Sequence, residues 1–109
     1  MLHRRFVIAR LSIGDRDVPL RHGDVVVAAR AETGVLDWEV VVHTMETTTV
    51  ARQLHELTMS CVVDTRESDG TLELATLSGP AFLVRSVERA LVFRGDGPLQ
   101  GIDLTGLTG

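Results

Sequence analysis

The sequence predicts a mainly β fold, a small antiparallel β-sandwich or barrel of about seven or eight strands with one short helix near 48–57. Three observations carry this. Apolar and polar residues alternate over short runs, most clearly where Leu36, Trp38, Val40 and Val42 share one face against Asp37, Glu39 and His43. Turn residues separate the runs, at Gly14-Asp15, His22-Gly23-Asp24, Thr33-Gly34, Ser68-Asp69-Gly70 and Ser78-Gly79-Pro80. Val, Leu and Thr dominate, and long Ala/Glu/Lys runs are absent, a usage that suits a pleated, half-buried surface.

The elements follow in order. In residues 6–13, Val7, Ala9, Leu11 and Ile13 form an inward face against Arg10 and Ser12. Asp17 to Leu20 reads as a short return strand. Pro19 lacks an N–H, which puts that strand on an edge. Residues 25–31 are almost wholly apolar, as in a strand covered on both faces. Residues 35–43 form the Trp38 strand, with the indole at the core centre. Val50, Leu54 and Leu57 stand at helical spacing behind Thr47-Thr48-Thr49, whose hydroxyls suit an N-cap, so a short helix is expected here. Strands resume at 58–66 and 71–77, and a second hairpin, 81–87 with 90–94, turns at Glu88-Arg89. The expected core is Trp38, Val40, Leu72, Leu74, Phe82, Val84, Leu91 and Phe93.

A chain of 109 residues fits one core, taken as residues 1–98, followed by a tail at 99–109. In that tail Leu99, Ile102, Leu104 and Leu107 are apolar and spaced by Gly and Thr, and they are the expected interaction residues. There is no Lys, Asn or Tyr, and all eleven basic side chains are Arg. Lys, Asn and Tyr use A/T-rich codons, so the bias points to a high-GC bacterium or one of its viruses. Net charge is −4, and the only adjacent basic pair is Arg4-Arg5, so no nucleic-acid partner is expected. No apolar run follows the basic start as in a secretory leader, and none reaches the length of a membrane helix. The expected location is cytoplasmic, or within an intracellularly assembled particle.

Chemistry-bearing patterns are sparse. His3, His22, His43 and His55 include no pair at helical ligand spacing, and Cys61 has no CxxC partner. His43, Glu46, His55, Glu56 and Cys61 could converge on a metal only from distant points, and scattered placement is the simpler expectation. Cys61 sits in an apolar run and reads as a small buried hydrophobe. The Asp64–Gly70 stretch carries its acids at the wrong positions for an EF-hand loop. Gly95-Asp96-Gly97-Pro98 precedes no helical pattern that could aim N–H groups at a phosphate. Four aromatics, Phe6, Trp38, Phe82 and Phe93, are too few for a base-stacking platform. No catalytic, cofactor-binding or metal residues are assigned.

The path from Gly14-Asp15-Arg16 through the Trp38 strand to Phe93-Arg94-Gly95-Asp96-Gly97-Pro98-Leu99 resembles small bacterial and phage-associated all-β proteins. They share a Trp strand and a terminal Phe-x-Gly-x-Gly-Pro-Leu stretch. The resemblance implies a sandwich or barrel and brings no catalytic residues. Residues and resemblance together lead to one expectation. The chain is a non-enzymatic structural or assembly module acting through protein–protein contacts, with itself or another subunit as partner, in a larger particle. The alternative is a small-ligand- or peptide-binding β-barrel with Trp38 lining its cavity. An enzyme with a site formed between subunits from His43, His55 and nearby acids is the third reading.

Overall fold

The computed structural model describes residues 2–29, 36–66 and 71–101. They form seven strands: β1 (Leu2–Ile13), β2 (Arg16–Val18), β3 (Leu20–Ala29), β4 (Leu36–Thr44), β5 (Leu54–Arg66), β6 (Thr71–Val87) and β7 (Ala90–Gly95). The sheet order is β2-β1-β3-β4-β7-β6-β5, and β1 also pairs with β5. The last pairing closes six antiparallel strands into a barrel, and β2 is the extra strand. Closure removes the edges that an open sheet would expose. β2, which Pro19 places at the end of the sheet as expected, is covered by the segment after β4. Met45 N–H donates to the Pro19 carbonyl at 3.0 Å, and Arg16 donates to the Thr49 carbonyl at 3.1 Å.

That coverage explains why the helix expected near 48–57 does not form. Backbone groups of residues 45–49 bond to β2, to Pro19 and to the Thr44 and Thr48 hydroxyls, not to one another. The Thr run is β-branched and a poor helix former. Val50 packs against the core, Leu54 is exposed and opens β5, and Leu57 faces inward along that strand. Among the described residues there is no helix.

The core fills the barrel interior. It joins Phe6, Ile8, Val25, Val27, Val40, Val42, Leu57, Met59, Leu77, Leu83, Leu91 and Phe93 with Trp38. Four of the expected core residues, Trp38, Val40, Leu91 and Phe93, are buried. Leu74, Phe82 and Val84 are not, at 54%, 43% and 43% exposed. The Leu72 side chain lies outside the described residues. The error is one of phase. β6 does not turn at Ser78-Gly79-Pro80 but runs straight through, pairing with β5 from Arg66↔Thr71 to Leu54↔Phe82. Leu77, Ala81 and Leu83 therefore face inward, and Phe82 faces out.

Trp38 bears on the small residues in the middle of β6 and at the end of β7. The indole lies over Gly79 and Gly95, where a Cβ would run into its ring atoms. Its Nε1–H donates to the Gly97 carbonyl at 2.9 Å. Clasped in this way, Trp38 is 4% exposed.

Bulges set the remaining phases. In β1, Ile8 faces Cys61 and Arg10 faces Ser60, so Ala9 is an extra residue. Phe6 and Ile8 point inward before it, Leu11 and Ile13 after it, and Val7 and Ala9 stay outside, contrary to the alternation expected for them. β3 is covered on one face only, since Val25 and Val27 are buried while Val26 is exposed. Beyond β7 the chain stays on the barrel. Leu99, one of the expected interaction residues, is buried in the core, and Gln100 exchanges both backbone hydrogen bonds with Ser78 at 3.0 and 2.7 Å. Ile102, Leu104 and Leu107 lie outside the described residues.

Candidate functional site

The outer wall across β3, β4, β7 and β6 carries an open groove of about 1080 Å³. Register builds its floor. Asp24 faces Val41, Val41 faces Val92, and Val92 faces Arg85, forming one row of cross-strand neighbours. The next row is His22, His43, Ala90 and Val87. Val41, Val92, Ala90 and Val87 thus make an apolar strip between basic side chains.

Two bulges concentrate the charge. Neighbouring residues of a regular strand point to opposite faces. The register shift between Leu20 and His22 releases Arg21 from that rule, so Arg21 and His22 are both exposed and both line the groove. A second shift, between Leu83 and Arg85, leaves Val84 and Arg85 both exposed on the outer wall. Bulges re-aim side chains in this way beside binding sites. The third arginine, Arg89, stands in the β6–β7 turn, where Glu88 takes a left-handed conformation at φ 55°. Thr44, a buried polar residue, holds that turn in place. Its hydroxyl is shared between the carbonyls of Glu46 and Arg89, and its N–H donates to Arg89 O at 2.9 Å.

The groove is basic on an acidic chain. Among the described residues, Arg21, Arg85 and Arg89 share the groove with one carboxylate, Glu88. Among the described residues none of these guanidinium groups has an ion-pair partner within 4.0 Å. Asp24, at the end of the floor row, is taken by Arg5 at 2.6 Å. That contact holds the Arg5 guanidinium above its usual range, chiefly by the hydrogen bond and then by the carboxylate's charge. His22 and His43 stack at the groove wall with ring centroids 4.1 Å apart.

The residues weighed for a metal do not meet. His43 is on the outer wall against His22, the His55 ring bonds to the Ala51 carbonyl at 2.7 Å, and Cys61 is buried inside the barrel. Among the described residues no three His, Cys, Asp or Glu side chains are placed to share an ion. Burial pushes the Cys61 thiol up to about 12, which leaves it protonated and a poor nucleophile. No signal in the linear sequence marked Arg21, Arg85 and Arg89 as a group, because adjacency in the barrel comes from register and not from spacing.

Compared with protein families, with curated proteins and with solved structures, the chain matches none.

Proposed function

We propose that this chain is a non-enzymatic assembly module working through protein–protein contact, and that the groove across β3, β4, β7 and β6 receives an acidic, extended segment of its partner. One observation carries the reading. Three arginines without acidic partners and a histidine pair border an apolar strip on a chain of net charge −4. Arginine forks suit carboxylates, and charge-assisted hydrogen bonds are among the stronger ones. The apolar strip suits the aliphatic side chains that would alternate with acids on an extended segment. A nucleic acid fits less well. The groove lining holds no Phe or Trp on which a base could stack, and the net negative charge opposes a long polyanion.

The test is titration with a short peptide alternating Asp and Val, its Asn-for-Asp control, and a short single-stranded RNA. The acidic peptide should bind, the control should not, and binding should weaken with salt. Arg85→Glu and Arg89→Glu should each weaken it by about tenfold or more, since a hydrogen bond to a charged group contributes ~1.5–3 kcal/mol. Equal affinity for peptide and control, or tighter binding of the RNA than of the peptide, rejects the proposal.

A further inference from the structure

His22 and His43 stand directly opposite each other on β3 and β4, with ring planes tilted by 35°. Charged groups reach the groove around them from β3, β6 and the β6–β7 turn: Arg21 on β3, Arg85 on β6, and Glu88 and Arg89 in the turn. β4 adds only the uncharged Val41 and Thr44 beside His43, β7 adds Ala90 and Val92, and Thr47 follows β4. Asp24, the nearest acid on β3 along the same face, is engaged by Arg5.

We infer that the groove binds its acidic occupant together with protons, and that the His22–His43 pair takes them up. The inference rests on the docking reading above. An imidazole changes charge near pH 6.5. Charging both rings of the free groove would set two further cations beside three guanidinium groups, with Glu88 the one carboxylate there among the described residues. A carboxylate lying between the arginines and the rings reverses that balance, because a nearby opposite charge favours the charged form. The imidazoles then hold protons more tightly in the complex than in the free chain. By linkage the complex gains stability as pH falls through the histidine range and loses it as pH rises above. The same exchange makes the site selective for an anionic occupant over an isosteric neutral one, most strongly in acid.

The experiment is calorimetric titration of the full chain with the Asp–Val peptide at pH about 7.5 and about 5.5, where Asp stays ionised. Each titration is repeated in buffers of different protonation enthalpy, which reports the protons taken up. The wild type should tighten by about tenfold toward the lower pH, with net proton uptake, since one fully linked imidazole contributes at most about tenfold per pH unit. The combined His22→Gln and His43→Gln variant should still bind through the arginines, with an affinity nearly flat in pH. Both rings lie on the outer wall, and circular dichroism checks that the variant folds. If it does not, each single substitution is measured and should lose part of the proton uptake. Wild-type binding that is flat in pH, without proton uptake, overturns the inference and leaves the docking site standing. Undiminished pH dependence in the histidine variants overturns it as well. Absence of binding at both pH values overturns the docking reading itself, and this inference with it.

Discussion

Raising the pH above about 9 should destabilise this protein through a single thiol. Cys61 is fully buried in β5, and desolvation pushes it from its ordinary 9.0 to about 12. The composition makes the effect unusually clean. With no Tyr, and with every basic side chain an Arg, Cys61 is the one side chain whose ordinary pKa falls in that interval. The folded state holds the thiol proton more tightly than the unfolded chain. Below pH 9 both states keep it, and the stabilisation is fully present. Above pH 9 the unfolded chain ionises alone, and folding loses about 1.4 kcal/mol per pH unit until the folded thiol ionises too. By pH 12 the loss is on the order of 4 kcal/mol, against a total stability of roughly 5–15 kcal/mol for a small domain. Urea unfolding at stepped pH, for the wild type and for Cys61→Ala, measures this. The variant should start about 1 kcal/mol lower, from the cavity it leaves, and then stay flat where the wild type declines. Two curves that fall in parallel would sink the reasoning, since the loss would then arise elsewhere.

Trp38 and the glycines beneath it should behave as one unit. Gly95→Ala should cost about 1–3 kcal/mol by forcing the indole off its seat, and Trp38→Ala about 3–5 kcal/mol. In the double variant the alanine at 95 should cost almost nothing, a coupling that a double-mutant cycle in urea reads directly. The phase of β6 has an equally direct check. Leu83→Ala, at a fully buried position, should cost about 2–5 kcal/mol, while Phe82→Ser, on the outer wall, should cost under about 1 kcal/mol. The reverse order would mean that the strand is turned over.

Where a strand is regular, alternation alone identifies its buried face. β4 shows this, since its inward residues Trp38, Val40 and Val42 are those the pattern picks out. Where an extra residue enters, the same pattern misleads. Ala9 shifts the phase of β1 halfway along, and no local signal distinguishes it from its neighbours. In β6 the Ser78-Gly79-Pro80 stretch has turn chemistry, yet a Cβ at Gly79 would meet the Pro98 carbonyl and the Trp38 ring. These are tertiary contacts, which a local reading cannot see. The groove was hidden for a related reason. A search for basic clusters along the chain finds Arg4-Arg5, while Arg21, Arg85 and Arg89 each look like isolated surface residues. The strand order β3-β4-β7-β6 sets β3 and β6 on the two sides of the paired β4 and β7, and the shifts at Arg21 and Val84 bring the side chains to the outer wall. Bulges, which the alternation rule does not foresee, are thus among the features that assemble the site. A bulge gives up regular pairing locally, and here two of them border one charged groove, where re-aimed side chains have a use.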